Sequence, residues 1–458
     1  MTGHDPRPAG RIRRALRPEV AFLLLFVPIS LLMMLAMPMF RVADEPAHLQ
    51  RAYLISTGHI LPTRETLFEP ENLLSGTGMT HAAQRSLLSE PLSETLVPST
   101  AGFNTGIYPP LSYVPQAVGM RIARLFTSSR LAMLFGARVG AWLVSTLLLF
   151  LSVRWLPRGK GALIAIALLP MLLSEVVSAS ADGLAIGAAA ALVAWVLRLR
   201  DAPRPIRGRS WLVTLLLSVC VVSFKLLYAP LLLVLALLPP SCFATPKQRR
   251  LLCWAPPLLC AALMLGWLGL CYTDYVAGST AEPGAGSVST IVPQLLHVLQ
   301  HPLRFLVTLL RTLVQQFSAI VYTLLGLHLG ALDLTMPRSA IYASALALLA
   351  VWALEPGLSG WRCPAGRRVR IALLCAIALS VLACFLSLYL WWTPLHAGTI
   401  EGFQGRYLLP LMLPLFLALR PEGQVSPVLR RRALPVLLGL MGAIDLVIVS
   451  HVWMLTAL

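Results

Sequence analysis

The side chains best suited to acid–base chemistry lie in one short segment of this chain, where Asp44, Glu45 and His48 surround a proline. A carboxylate in low-dielectric surroundings can take a proton from a hydroxyl group, and we expect Asp44 to act as such a general base. Glu45 and His48 could orient a substrate or, with Asp44, hold a divalent cation such as Mg²⁺ or Mn²⁺. The structural alternative is a helix that begins at Pro46 and is capped by Asp44 or Glu45.

Two further charged residues stand in apolar surroundings. Asp182 lies between two apolar segments, and it is either a second acidic residue of the same site or the N-terminal cap of the next helix. Lys225 lies inside an otherwise uncharged segment, where an ammonium group at bilayer depth costs about 2.5–3.5 kcal/mol. That cost predicts a partner for Lys225, either a carboxylate or a lipid phosphate, unless the side chain reaches the headgroups.

The segment from Glu401 to Tyr407 combines two glycines with a single cation, Arg406. Glycine allows a close approach of the backbone, and a guanidinium group matches two oxygens of a phosphate. Arg406 is therefore a candidate for binding a phosphate or a pyrophosphate. A salt bridge between Arg406 and Glu401 is the structural alternative.

Aromatic and basic residues mark two segments that we expect at the membrane surface. Tyr108 and Tyr113 flank a double proline, and because tyrosine favours the headgroup region, this segment either anchors the chain or contacts substrate. Arg304 and Arg311 are seven residues apart and therefore share one helix face, which either binds lipid phosphate or faces water. His396 is a weaker candidate.

The elements that must position these residues are transmembrane helices. Hydrophobic residues make up 57% of the chain and charged residues 12%, about half the charged share of an ordinary soluble protein. Apolar runs long enough to cross a bilayer recur along the chain. The net charge of +18 comes from basic segments between these runs, as the positive-inside rule expects for cytoplasmic loops, and this pattern argues against nucleic-acid binding.

The predicted fold class is an all-α polytopic membrane protein with about eleven transmembrane helices. Residues 1–18 form a cytoplasmic basic tail, and 19–457 form one transmembrane domain with a long acidic extracytoplasmic loop at 41–107. Residues 108–127 and 291–330 are predicted as interfacial helices; if both crossed the membrane, the number would be thirteen. The predicted spans cover residues 19–40, 131–153, 161–179, 183–199, 210–226, 228–243, 251–272, 338–355, 370–392, 405–420 and 433–456.

Four segments in this order resemble a bacterial membrane family known as domain of unknown function 2142. They are the Asp44–Tyr53 segment, the Tyr108–Tyr113 segment, the Phe224–Tyr228 segment and the Gly402–Tyr407 segment. That family resembles the GT-C superfamily of integral-membrane glycosyltransferases, whose members carry an acidic motif directly after the first helix and use polyprenyl-phosphate-linked sugars with inversion.

The resemblance implies a site with Asp44 as the catalytic residue and with metal ligation, where a cation is used, by Asp44, Glu45, His48 and Asp182. The motifs and the resemblance together give the predicted substrate-binding residues: Glu45, His48, Arg51, Tyr108, Tyr113, Asp182, Lys225, Tyr228, Arg304, Arg311, Glu401, Gln404, Arg406 and Tyr407.

The function that this resemblance implies is hexosyl or pentosyl transfer from a polyprenyl-phosphate donor to an extracytoplasmic glycan or lipid. The setting would be a bacterial inner membrane, among membrane lipids, with a cytoplasmic N-terminus and a site that faces the periplasm or exterior. The alternative is a transporter or flippase of a lipid-linked saccharide in cell-envelope polysaccharide export, which needs the phosphate contacts but no base. A non-catalytic assembly partner is a third hypothesis.

Overall fold

The computed structural model describes residues 17–61, 68–75, 80–98, 105–201, 205–271, 288–355, 365–419 and 425–457. Most of the predicted tail at 1–18 and parts of the loop at 41–107 lie outside these ranges. The described chain is mainly helical, as the bilayer core requires, because a helix satisfies its backbone hydrogen bonds internally.

The helices and strands are numbered in chain order. The helices are α1 Pro18–Ala36, α2 Glu45–Ser56, α3 His81–Ser86, α4 Val114–Arg124, α5 Arg130–Trp155, α6 Lys160–Ala167, α7 Pro170–Val176, α8 Asp182–Asp201, α9 Gly208–Phe224, α10 Pro246–Cys271, α11 Val288–Gln300, α12 Pro302–Gln315, α13 Phe317–Leu325, α14 Arg338–Leu354, α15 Ala365–Trp391, α16 Leu409–Leu419 and α17 Pro427–Thr456. Short 3-10 helices cover Pro110–Tyr113, Leu226–Leu237, Pro240–Cys242 and Gly405–Leu408. Two antiparallel two-stranded sheets pair β1 Phe68–Pro70 with β2 Leu96–Pro98 and, as a hairpin, β3 His328–Leu329 with β4 Leu334–Thr335.

Six helices of the described chain, α1, α5, α8, α10, α15 and α17, are long and apolar enough to cross a membrane. A seventh span results if α12 and α13, which meet at an angle of 61°, are taken together. The all-α membrane class is confirmed, whereas the number eleven stays a prediction. Several predicted spans are shorter or broken: 161–179 divides into α6 and α7, 228–243 is largely a 3-10 helix, and 405–420 begins with a 3-10 turn.

Proline explains these breaks, because it lacks a backbone N–H and clashes with the preceding helical turn. Pro170 is at the first turn of α7, directly after the break at Leu168 and Leu169. Pro230 lies within the 3-10 helix that replaces the predicted span at 228–243. Hydrophobicity alone had therefore predicted apolar segments correctly but overestimated the continuity of their helices.

The centre of the bundle is α8, which is buried along most of its length and packs on α5, α7, α9 and α16. Gly187 makes this packing possible, since a Cβ atom there would lie 2.9 Å from the Leu148 Cβ and 3.2 Å from the Ser145 carbonyl oxygen of α5. Small residues allow such close helix contacts in membranes. As a result, the N-terminus of α8 is held rigidly beneath the loops that join α1 to α2 and α7 to α8.

The short helices α2 and α4 lie side by side in the same direction next to α5. At the start of the two helices, His48 of α2 bonds to Tyr113 just before α4, with 2.7 Å between the ring nitrogen and the hydroxyl. At their other end, Arg121 of α4 donates to the Ser56 carbonyl of α2 at 2.6 Å. Gly119 of α4 lies against α5 so closely that a Cβ atom would be 1.9 Å from the Gly136 carbonyl oxygen. These contacts fix the first turn of α2 above the bundle.

Separate groups of ion pairs lie at the two ends of the bundle. At one end the ion pairs Lys160–Glu19, at 2.6 Å, and Arg430–Glu355, at 3.1 Å, join the beginnings of α1, α6 and α17 to the end of α14. The opposite end contains the C-terminus of α1 and of α9 and the N-terminus of α8 and of α16. The acidic and basic candidates from the sequence analysis meet at this second end.

Candidate functional site

Asp44 stands at the entrance of the site, in the turn between α1 and α2. Its φ angle is +61°, in the left-handed region, which is uncommon for residues other than glycine. The backbone N–H of Ala43 donates to Gly330 at 3.2 Å and holds this turn against the β3–β4 hairpin. Asp44 occupies the N-cap position of α2, but its side chain makes no capping hydrogen bond. Its carboxylate pairs instead with Arg406.

Arg406 is the buried centre of the site. Beyond Asp44, its guanidinium lies 3.6 Å from a Glu175 oxygen and 3.9 Å from an Asp182 oxygen. None of its ion pairs among the described residues is with Glu401, whose side chain is exposed. The preceding glycine explains the placement, because a Cβ atom at Gly405 would lie 2.1 Å from the Ile320 carbonyl oxygen of α13.

Lys225 has the carboxylate partner that its burial predicts. Its ammonium group, at the end of α9, pairs with an oxygen of Asp182, the first residue of α8. The ammonium nitrogen also lies 4.7 Å from the centroid of the Tyr407 ring, a cation–π distance. Lys225 therefore does not extend to the headgroups, and Asp182 is a site residue as well as a helix start.

Glu175 completes the group of five charged residues, which we call the charged cluster: Asp44, Glu175, Asp182, Lys225 and Arg406. Sequence reasoning did not include Glu175 in the site, although a carboxylate inside an apolar segment was a signal for it. Its second carboxylate oxygen is buried and makes no hydrogen bond among the described residues. The three carboxylates differ in exposure: the side chain of Asp44 is 61% exposed, that of Asp182 12% and that of Glu175 2%.

Aromatic residues and His48 line the same end of the bundle. The Tyr108 and Tyr113 rings meet edge to face, with their centroids 6.4 Å apart, and His48 contacts both. The Tyr228 hydroxyl donates to the Tyr407 carbonyl at 2.9 Å and so ties the segment after Lys225 to the Arg406 turn. Burial lowers the pKa of His48 to about 4, and this histidine is therefore neutral at pH 7.

Asp44 is ionised at neutral pH. Desolvation raises the pKa of its carboxyl group, but the positive charge of Arg406 and the hydrogen bond from it outweigh this effect and leave the pKa below its usual value. An ionised, largely exposed carboxylate is what a general base in the resting state needs.

Glu45 lies apart from the cluster, in a fully buried ion pair with Arg138 of α5. Arg138 donates to both carboxylate oxygens at 2.7 Å, and the backbone N–H groups of Phe40 and Ala179 donate at 3.0 Å. Each oxygen thus accepts two hydrogen bonds. In this arrangement Glu45 connects α2, α5 and the α7–α8 loop, and no oxygen is left for a substrate.

The structure places the other candidates away from the charged cluster. Arg51 donates to the Ile60 carbonyl at 2.7 Å and lies 6.0 Å from the Trp267 ring centroid, so it holds α2 against α10. Gln404 directly precedes the turn of Arg406 and is half-buried. Arg304 and Arg311 line a separate cleft.

The four residues considered for a divalent cation do not form a site that fits one. Asp44 and Asp182 pair with the protein's own cations, and Glu45 is saturated by Arg138 and two backbone donors. Within the described ranges, no three His, Cys, Asp or Glu side chains converge as metal ligands would. We therefore derive no chemical step through a metal ion.

Fold and site together define a polytopic helical membrane protein with a charged, aromatic-lined site at one end of its helices. The chain belongs to the family of predicted membrane proteins known as DUF2142, whose sequence profile matches residues 25–415. No curated protein and no solved structure matches the chain.

Proposed function

We propose that the chain is an inverting glycosyltransferase of the GT-C type, which moves a sugar from a polyprenyl-phosphate donor to an extracytoplasmic glycan or lipid. One observation carries the proposal: the exposed carboxylate of Asp44 is held beside the buried guanidinium of Arg406. A base and a phosphate-binding cation are the two groups that this reaction needs in one place.

Asp44 is the base because it is the exposed carboxylate of the charged cluster. As the acceptor hydroxyl oxygen attacks the anomeric carbon of the donor, its proton passes to Asp44. The bond between that carbon and the phosphate oxygen breaks, and the lipid phosphate leaves with the electron pair. A single displacement of this kind inverts the anomeric centre.

Arg406 and Lys225 stabilise the charge that develops on the leaving phosphate. Both are buried, where electrostatic interactions are stronger than in water. Asp182 and Glu175 hold these cations in position and offset part of their charge, which favours release of the lipid phosphate after transfer. The Asp44–Arg406 pair opens when the donor phosphate becomes the partner of Arg406.

The proposed orientation follows from the distribution of charge. The basic residues Arg154, Arg158 and Lys160 lie at the end of α5, and Arg198 and Arg200 lie at the end of α8; both ends are remote from the charged cluster. The positive-inside rule assigns those ends to the cytoplasm. We accordingly propose a bacterial inner-membrane setting with a cytoplasmic N-terminus and a site that faces the periplasm.

The test is transfer of radiolabelled sugar from a panel of polyprenyl-phosphate donors by the purified chain, with cell-envelope glycolipids as acceptors. We expect Asp44→Asn to reduce the rate by about 10²–10⁴-fold, the usual contribution of a general base. Asp333→Asn is the matched control, because Asp333 of the β3–β4 hairpin is also an exposed carboxylate in an ion pair, with Arg41.

Equal transfer by the wild type and by Asp44→Asn would show that Asp44 is not the base. If the wild type transfers no sugar but moves the intact donor across a vesicle membrane, the proposal of a glycosyltransferase fails. That second result would favour a flippase, which uses the same phosphate contacts.

A further inference from the structure

A second cleft, of about 480 Å³, lies between α11, α12 and the segment that follows α15. Four nitrogen-bearing side chains line it, those of Arg304, Arg311, His297 and His396. The described residues that line this cleft include no carboxylate. The cleft is therefore cationic without internal compensation, in contrast to the charged cluster.

The helix α12 divides into three faces along its length. Phe305, Leu309 and Thr312 are buried against the bundle. The second face, which is apolar and exposed, carries Leu303, Leu306, Val307, Leu310 and Val314. Arg304 and Arg311 lie on the third face, beside the apolar one. An apolar face next to a basic one is typical of a helix at the boundary between hydrocarbon and headgroups.

The walls of the cleft are fixed by hydrogen bonds from buried polar residues. The Gln294 side-chain amide donates to the Thr393 carbonyl at 2.9 Å and holds α11 against the end of α15. The Ile400 N–H donates to the Thr312 hydroxyl at 2.8 Å and holds the segment after α15 against α12. Gly398 adjoins Arg311, whose guanidinium would lie 3.4 Å from a Cβ atom there.

The histidine rings at the cleft are in contact with one another. The ring centroids of His297 and His396 are 4.7 Å apart, and those of His297 and His301 are 5.0 Å apart. Loss of hydration lowers the pKa of His297, and so do His396, His301 and Arg304. The lasting positive charge of the cleft therefore comes from Arg304 and Arg311.

We propose that this cleft binds the phosphate group of a lipid whose hydrocarbon chain lies along the exposed apolar face of α12. The two arginines supply the charge-assisted donors that a phosphate requires. Leu306, Leu310 and Val314 supply the surface for the chain.

This lipid-phosphate cleft is separate from the charged cluster. Thr312 and Thr323, on α12 and α13, both bond to the segment that joins the cleft to Arg406. They are eleven residues apart, which is about 16 Å of helix before the bend is considered. The lipid-phosphate cleft can therefore bind its ligand whether or not Asp44 is a base.

The test is binding of farnesyl phosphate to the purified full-length chain in an uncharged detergent, followed by competition with inorganic phosphate and with farnesol. We expect Arg304→Ala with Arg311→Ala to weaken binding at least tenfold, since a hydrogen bond to a charged group contributes about 1.5–3 kcal/mol. Arg249→Ala with Arg250→Ala removes the same charge at the start of α10 and should leave the affinity unchanged.

A second pair of variants separates the lipid from free phosphate and guards against misfolding. Thr308→Phe fills the cleft without a change of charge and should also weaken binding at least tenfold. Val307→Ser with Leu310→Ser should weaken the binding of farnesyl phosphate but not that of inorganic phosphate. Unchanged affinity in the arginine and Thr308 variants would overturn the proposal, and so would equal affinity of the wild type for inorganic phosphate and farnesyl phosphate.

Discussion

Replacement of Glu45 by glutamine tests whether this residue holds the site together or contacts substrate. The carboxylate accepts four hydrogen bonds, two from Arg138 and one each from the N–H groups of Phe40 and Ala179. A glutamine amide has one oxygen and one NH₂ group. Whichever way it turns, its NH₂ group faces two donors, one from Arg138 and one from the backbone.

The magnitude follows from this count. A buried donor without an acceptor costs about 1–3 kcal/mol, and loss of one partner from a buried ion pair typically costs about 3–5 kcal/mol. Both side chains of the Glu45–Arg138 pair are fully buried. We therefore expect Glu45→Gln to lower the free energy of unfolding by about 3–5 kcal/mol.

The assay is chemical unfolding of the purified protein in detergent micelles. Asp333→Asn is the control, because its pair with Arg41 is partly exposed and exposed pairs contribute about 0–1 kcal/mol. Combining Glu45→Gln with Arg138→Met should recover part of the loss. If Glu45→Gln has the same free energy of unfolding as the wild type but has lost activity, Glu45 contacts substrate and the structural interpretation is wrong.

Other substitutions test the charged cluster. Gly405→Ala should displace Arg406, because the Cβ atom would lie 2.1 Å from a backbone oxygen. Thermal unfolding should therefore show a lower unfolding temperature for this variant. Gly439→Ala is the control and should unfold as the wild type does, because a Cβ atom there meets nothing within 4 Å. Lys225→Met should cost about 3–5 kcal/mol in chemical unfolding, and Asp182→Asn added to it should restore part of this loss. Since the pKa of Asp44 is lowered, its contribution to stability is present above the ordinary value of 3.8 and lost as pH falls below it. The wild type and Asp44→Asn should therefore differ in unfolding free energy by a constant amount from pH 7 to about 5, and the difference should vanish in acid. For so exposed a group this difference is below about 1 kcal/mol.

The carboxylates of the charged cluster have two different roles. Glu175 and Asp182 keep Arg406 and Lys225 at bilayer depth, where an unpaired cation would be costly. Asp44 is the exposed member, and its contact with Arg406 is the one that a ligand can replace at least cost. In the proposed reaction, this ion pair is the one that the donor phosphate would replace.

Sequence reasoning succeeded where a single residue conflicted with its surroundings. Lys225 in an apolar segment required a partner, and the structure supplies Asp182. For Glu45 the same reasoning gave no guidance, because its partner Arg138 lies 93 residues away on α5. Arg138 looked like one more helix residue until the fold brought the two together.

The sequence by itself determined the membrane class, because hydrophobic segments of sufficient length have no other stable environment. It also identified Lys225 as a charged residue inside an apolar segment. Only the tertiary structure decided which charges neutralise each other, which carboxylate stays exposed, and that Arg304 and Arg311 face a cleft of their own. The physical reason is that hydrophobicity is a local property of the chain, whereas an ion pair depends on how distant helices pack.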